Sequence, residues 1–278
     1  MTMRVDAHQH FWRIDRGDYG WLTPTDTPRL YRDYLPDDLA PLLAEGRIDR
    51  TVLVQAAESL AETEFLLGLA EATPFVGAVV GWVDFASPSA AGEVFRLAKH
   101  PQLKGLRPML QDLADAEWIL GEAVQPAIRA TAAAGLRFDA LIKPAQLPAI
   151  RTLLARYPDL PVVIDHGAKP RVADGEIAEW AGHMRVIARD SHAVCKLSGL
   201  ATEAPPGWSV ETLRPYVDVL LEAFGPSRLM FGSDWPVLTE NGDYAGWLAA
   251  ATSLTADLSE AERAEVFGAT AARFYGIA

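Results

Sequence analysis

The chain has 278 residues, 50% of them hydrophobic and 22% charged, with a formal charge of −12. That is enough chain for one large core and short for two domains. An acidic balance without clustered Lys and Arg excludes a nucleic-acid footprint and attraction to an anionic membrane surface.

The first stretch of consequence is Arg4-Val5-Asp6-Ala7-His8-Gln9-His10-Phe11-Trp12. Alternation along a strand at Val5–His10 puts Asp6, His8 and His10 on one face. Two imidazoles beside a carboxylate at a strand end are costly unless they are hydrogen-bonded, metal-bound or catalytic. Phe11–Tyr34 follows as a long loop rich in Asp, Pro, Trp and Tyr, and a loop of that length is expected to cover a site. Asp37–Glu45 predicts a short helix, and Thr51–Gln55 a strand buried on both faces. Ser59-Leu60-Ala61-Glu62 has the form of a capping box, with Phe65, Leu66 and Leu69 on the apolar stripe of the helix it opens.

The same grammar repeats. Phe75–Asp84 is a strand, and Ser87-Pro88 opens a helix to near His100. Leu103–Met109 is a strand containing Arg107, and Ala114–Ala134 is helical with an internal boundary at Pro126. Leu136–Ile142, Pro161–His166, Ala193–Leu197 and Leu229–Phe231 complete the strands. Helices near Gln146–Tyr157, Ile177–Ala188 and Ser209–Phe224 separate them, the last closed by Gly225, and a final helix opens at Ser259 and Glu262. The single cysteine, Cys195, excludes an intrachain disulfide and suits a reducing compartment. No apolar run reaches spanning length and no apolar leader opens the chain, so the expected location is the cytoplasm, with no membrane partner.

Eight strands separated by helices require parallel pairing, and in a chain of this length they predict a closed (β/α)8 barrel forming one domain over residues 1–278. No glycine-rich nucleotide turn follows the first strand. Active residues of a barrel gather at the C-terminal ends of its strands. Those ends carry His8 and His10, Trp82 and Asp84, Arg107, Asp139, Asp165 and His166, Lys196 and Ser198, and Ser233, Asp234 and Trp235. Each has a structural alternative: Arg107 paired with a carboxylate, Asp139 as a helix cap, Lys196 neutralising Asp84 or Asp139. No G-x-S-x-G elbow flanks Ser198 or Ser233, and Cys195 alternates away from Lys196 towards the helices, so neither a serine nor a cysteine nucleophile is expected.

Five blocks carry a resemblance: Asp6–Trp12, Gly81–Asp84, Asp165–Pro170, Cys195–Leu200 and Phe231–Pro236. In this order and spacing, over the whole chain, they resemble the amidohydrolase superfamily, and within it the branch of sugar-lactone and pyrone-dicarboxylate lactonases. The resemblance implies a barrel hydrolase acting on a small-molecule lactone. His8 and His10 match the first-strand pair, His166 the sixth-strand histidine, and Asp234 the eighth-strand aspartate that activates the attacking water. On this reading Asp234 is the general base, and His8, His10 and His166 activate the carbonyl or the leaving group. Arg107 and Lys196 would bind hydroxyls or a carboxylate, with Asp84 and Asp139 in the same pocket. Trp12, Trp82 and Trp235 would stack on a sugar ring or simply fill the barrel mouth.

The fifth strand, Phe138–Lys143, lacks the histidine that metal-dependent relatives bring. Catalysis without a metal is therefore expected ahead of a single divalent ion, Zn²⁺ first, held by His8, His10 and Asp234; a second metal is not expected. Only Arg107 is placed to read a carboxylate, which favours a neutral sugar lactone over a pyrone dicarboxylate or a sulfonated lactone. A metal-dependent decarboxylase of the same superfamily and a non-catalytic binding barrel are the competing readings. The particular sugar, the ring size and the oligomeric state, monomer or homodimer, are not legible.

Overall fold

The computed structural model describes residues 3–278. Its strands are β1 (Val5–Gln9), β2 (Arg50–Val54), β3 (Val76–Gly81), β4 (Leu103–Leu106), β5 (Arg137–Ala140), β6 (Val162–Ile164), β7 (Val194–Leu197) and β8 (Leu229–Phe231). They pair in parallel in the order β1 to β8. Just beyond β8 the chain returns to β1, with Asp234 N–H donating to His8 O and His10 N–H to Trp235 O, both at 2.8 Å. The (β/α)8 barrel read from the strand–helix rhythm is present.

Two apolar layers follow from strand alternation. Val5, Ala7, Val52, Val54, Ala78, Val80, Val163 and Met230 form an inner cluster, closed from below by Tyr275 and Ile277. Leu53, Val79, Leu106, Ile164, Cys195, Leu197 and Phe231 join the outer layer beneath the helices. Cys195 thus faces the helices, and burial lifts its thiol out of the reactive range. Among the described residues no helix is long and apolar enough to cross a membrane.

The helices are α1 (Pro36–Gly46), α2 (Leu60–Ala72), α3 (Ala90–Leu97), α4 (Gln125–Ala133), α5 (Leu147–Arg156), α6 (Ala178–Asp190), a short α7 (Leu200–Glu203), α8 (Val210–Phe224), α9 (Tyr244–Leu254), α10 (Glu260–Ala264) and α11 (Thr270–Tyr275). Four departures from the sequence reading have local causes. The segment before Gln125 forms 3-10 turns, and Pro126 sits in the first turn of α4, where its missing N–H costs nothing. α9 was not foreseen; its signal is Asp243, whose Oδ1 accepts the Gly246 N–H at 2.7 Å. The last helix splits into α10, a π turn at Glu265–Ala269, and α11. Ser59 caps α2, but Glu62 does not reach back to it: its carboxylate is buried and accepts the N–H groups of Ala56 and Ala57 at 2.9 and 3.0 Å.

Asp6 is a correction of another kind. With Val5 and Ala7 in the inner cluster, simple alternation would turn His8 outward, but the register with β2 shifts between Asp6 and Gln9. This irregularity re-aims His8 into the barrel, as bulges beside active sites do. Asp6 stays on the helix side, accepting Ser233 N–H at 2.8 Å and the Tyr244 hydroxyl at 3.0 Å. It staples β1 to the end of β8 and to α9, and burial lifts its pKa to about 6 against these donors.

Candidate active site

His8, His10, His166 and Asp234 converge at the C-terminal end of the barrel, all at most 3% exposed. His8 Nε2 and His10 Nε2 lie 3.2 Å apart, and Asp234 Oδ1 lies 3.2 Å from His10 Nε2, 3.7 Å from His166 Nε2 and 3.8 Å from His8 Nε2. Asp234 and His166 both occupy the left-handed region, at φ 59° and 54°. The chain after β6 stays there through Gly167, Ala168 and Lys169. Such strain, about 1 kcal/mol or more for each non-glycine, persists where the surroundings over-determine it and is concentrated at functional sites.

Proton positions follow from the partners. His10 Nδ1 faces the Val54 carbonyl at 2.8 Å, and a carbonyl only accepts, so Nδ1 carries the hydrogen. In the neutral form of the ring Nε2 is then a bare acceptor, 3.2 Å from the acceptor Asp234 Oδ1. That pair of lone-pair groups suits a guest bearing protons or positive charge, a nucleophilic water or a divalent cation. Burial opposes ionisation of Asp234, yet His166, His10 and His8 around it hold its carboxyl well below the usual range, so it is anionic at neutral pH. His166 Nδ1 is held by Ser198 Oγ at 2.8 Å, and burial lowers its pKa to about 4, leaving the ring neutral.

Beneath these groups lies a fully buried charge cluster. Lys196 Nζ is 2.6 Å from Asp139 Oδ2, 2.9 Å from Asp165 Oδ1 and 3.2 Å from His8 Nδ1, with all of these side chains fully buried. Arg107 Nη1 lies 3.3 Å from both Asp165 Oδ2 and His8 Nε2, and its Nη2 donates to the Gln55 carbonyl. Burial disfavours the Asp165 anion, but Lys196, His8 and Arg107 outweigh this and hold its pKa well below normal. Asp139 moves the other way, raised by burial and by neighbouring Asp165. Burial, and then Lys196, push His8 well below its usual value, so it too is neutral.

The sequence-predicted residues therefore divide. Lys196 and Asp139 sit inside the barrel, paired with each other, which is the structural alternative weighed for Lys196, whereas Asp139 takes this pairing in place of the helix cap weighed for it. Arg107 is committed to Asp165 and Gln55. Trp12 is fully buried; its Nε1 donates to Arg32 O at 2.8 Å and fastens the 11–34 loop. Trp235, 3% exposed, packs edge-on against Phe11 and Tyr34. Trp82 and Asp84 line a cavity of about 290 Å³ with Glu58, Pro108 and Met109. Sequence reasoning missed Trp21, Glu62 and Tyr275. Trp21, 38% exposed, donates to Ala56 O at 2.7 Å and lines a mouth cavity of about 490 Å³ with Asp18, Glu58, Met109 and Asp112. The loop it belongs to spans the barrel mouth from Ala56, beyond β2, to Thr239, beyond β8, whose carbonyl accepts from Arg29 Nη1 at 3.1 Å.

Gly199 is required by His166. Its φ is 66°, and a Cβ there would lie 2.6–2.7 Å from the His166 ring. Gly199→Ala is expected to displace that ring and lower kcat about 100-fold, since displacement by about 1 Å is enough. Steady-state kinetics checks this, and a kcat within threefold of wild type would contradict it.

His166 also sets an acid sensitivity. It binds its proton near pH 4 in the fold and near 6.5 when unfolded, so in that window the unfolded chain takes up a proton that the folded one does not. Acid therefore destabilises the fold there. His166→Asn is expected to lose about 2 kcal/mol less stability than wild type between pH 7 and pH 5, by urea unfolding. Equal losses in the two proteins would rule this out.

Fold and site together are those of a (β/α)8 barrel with a buried cluster of three imidazoles and a carboxylate drawn from the ends of β1, β6 and β8. The chain belongs to the amidohydrolase family, whose model, described as Amidohydrolase, matches residues 5–277. It is 46% identical over 281 residues to an L-fucono-1,5-lactonase of Burkholderia ambifaria, covering 100% of this chain and 97% of that protein. It is 39% identical to an L-fucono-1,5-lactonase of Burkholderia multivorans, covering 99% of this chain and 97% of that protein. An amidohydrolase crystal structure from Burkholderia multivorans, described with bound zinc, superimposes with a TM-score of 0.94 at 37% identity, covering 99% of this chain and 100% of that one.

Proposed function

We propose that this enzyme hydrolyses the ester of a neutral aldono-1,5-lactone by direct attack of water. The observation that carries the reading is the convergence of His8, His10, His166 and Asp234 on one point within 4 Å, in a chain that aligns end to end with proteins named L-fucono-1,5-lactonase. Water held between Asp234 Oδ1 and His10 Nε2 attacks the lactone carbonyl, and Asp234 takes its proton as general base. The oxygen that gains negative charge is met by the imidazoles of His8 and His166 in a buried site, where preorganised donors act most strongly. The tetrahedral intermediate collapses with cleavage of the ring C–O bond. The proton on Asp234 returns through His166 to the departing alkoxide, and the product is an open hydroxy acid that ionises and releases one proton to solvent.

Arg107 supports the neutral substrate: its guanidinium is already shared between Asp165 and Gln55, leaving no free fork for a second carboxylate. For a divalent ion, His8, His10 and Asp234 bring ligand atoms within 4.8 Å of one another and would be the residues to hold it. Such an ion would polarise the carbonyl and acidify bound water. The far side of a metal-bound histidine ordinarily donates to a carboxylate or carbonyl; His10 meets this with Val54 O, whereas His8 Nδ1 faces the Lys196 ammonium. This mismatch supports the metal-independent reading, and the zinc described in the Burkholderia multivorans structure makes the ion the alternative.

The test is a substrate panel followed by proton release. Neutral aldono-1,5-lactones are expected to be opened with kcat/KM at least about 100-fold above 2-pyrone-4,6-dicarboxylate, because a buried polar site mismatched to its ligand discriminates strongly. Preference for the dicarboxylate, or no hydrolysis of any lactone, would overturn the reading.

A further inference from the structure

Three consecutive carbonyls at the end of β2 each hold a different side chain. Val54 O meets His10 Nδ1 at 2.8 Å, Gln55 O accepts from Arg107 Nη2, and Ala56 O accepts from Trp21 Nε1 at 2.7 Å. The first two fix members of the buried cluster; the third fixes an indole that is 38% exposed at the mouth. The turn carrying them is itself clamped, because the buried Glu62 carboxylate accepts the N–H groups of Ala56 and Ala57. Trp21 also meets the fully buried Trp12 ring edge-on, with centroids 5.6 Å apart and planes at 82°. Held at both its nitrogen and its ring, the indole is a fixed apolar platform beside polar groups.

The platform lines the cavity of about 490 Å³, which adjoins the cavity of about 290 Å³ beside Trp82. Glu58, Met109 and Leu113 line both, so Glu58 stands where the two join. This wall is continuous with the buried cluster: Ala56 and Ala57 follow Gln55 directly, and Met109 lies two residues beyond Arg107. The carboxylates lining it are not equivalent. Asp18 is engaged by Arg16 and Ser59, and Asp112 by Lys143 at 2.8 Å. Glu58 is exposed and, among the described residues, has no ion pair. A carboxylate accepts hydrogen bonds and donates none, so the ligand that suits it carries hydroxyls, and an anionic ligand would meet like charge.

We infer that Glu58 is a specificity-determining residue, which accepts hydrogen bonds from the hydroxyls of a polyhydroxylated ring resting on Trp21. The inference rests on the lactonase reading for the ester and extends it to the part of the substrate that does not react. Recognition of the ring is thereby separated from its opening: Glu58 and Trp21 read hydroxyls and the C–H face at the mouth, while the buried cluster meets the carbonyl.

The probes are two ring amides that lack the ester, a polyhydroxylated aldono-1,5-lactam and the bare ring piperidin-2-one, titrated calorimetrically. Wild type is expected to bind the hydroxylated ring at least about tenfold more tightly, the lower end of what a hydrogen bond to a charged group contributes. Glu58→Ala is expected to abolish this preference by weakening the hydroxylated ring alone. Glu58→Gln keeps an acceptor and should lose only part of it, whereas Trp21→Ala should weaken both rings about fivefold. On an aldono-1,5-lactone, Glu58→Ala is expected to raise KM about tenfold with kcat within threefold, because the lost bond is made before and throughout the reaction. Wild type that does not bind the hydroxylated ring, an equal preference in wild type and Glu58→Ala, or a fall in kcat with KM unchanged would overturn the inference. The titration needs no turnover, so wild type that opens no lactone yet loses its ring preference in Glu58→Ala would defeat the lactonase reading alone.

Discussion

Replacing Asp234 by Asn is expected to lower kcat for lactone hydrolysis about 10³-fold, within the range assigned to a positioned general base, while leaving KM within a few fold. Asn is nearly isosteric and is among the few residues that accept left-handed backbone readily, so the φ of 59° at this position is retained without new strain. The amide cannot take the water's proton, and its NH₂ would donate to His10 Nε2, filling the place of the water. Circular dichroism and thermal unfolding close to wild type would separate loss of the base from loss of the fold. A rate within tenfold of wild type would remove Asp234 from the role given to it.

Lys196→Met is expected to be the most destabilising single change at this site, costing about 3–5 kcal/mol and on the order of 10 °C in melting temperature. The methionine replaces the stem but leaves Asp139 and Asp165 in a fully buried space with no ammonium between them. The sign with pH follows from linkage. In wild type Asp165 is held below its unfolded pKa, a contribution present above that value and lost in acid. In the variant both carboxylates are pushed up instead, so the unfolded chain binds fewer protons than the folded one at neutral pH. The deficit is therefore largest at pH 7–8 and shrinks towards pH 5. Urea unfolding at both pH values checks this, and a deficit that grows in acid would contradict it.

Much of this site is visible in the sequence because each element carries a local signal. The strand–helix rhythm predicts parallel pairing, parallel pairing with eight units predicts the barrel, and the barrel predicts where His8, His10, His166 and Asp234 meet. Lys196 and Asp139 were also found, though the sequence could not say that they face the barrel axis and bind each other. That depends on which strand residues turn inward, and the register shift in β1 defeats simple alternation there, which is why Asp6 was misplaced. Tyr275 was missed because a tyrosine in a C-terminal helix is unremarkable until the helix is seen to cap the barrel floor. Glu62 was missed because a Ser three residues before a Glu fits a capping box, whereas burial turns its carboxylate to Ala56 and Ala57 and lifts its pKa to about 7. Trp12 and Trp235 are large aromatics beside the rim, and only packing reveals that they anchor the covering loop while Trp21 faces the mouth.

The central claim is that these side chains open a lactone with water activated by Asp234 and no resident metal. The most direct measurement is proton release from L-fucono-1,5-lactone by protein that has been treated with chelator and assayed for metal content. The account predicts full turnover with less than about a tenth of an equivalent of metal per chain, since three protein ligands would otherwise retain a catalytic ion, and no gain when Zn²⁺ is added. Activity that disappears on chelation and returns with Zn²⁺ would mean that His8, His10 and Asp234 work as metal ligands, and would contradict it.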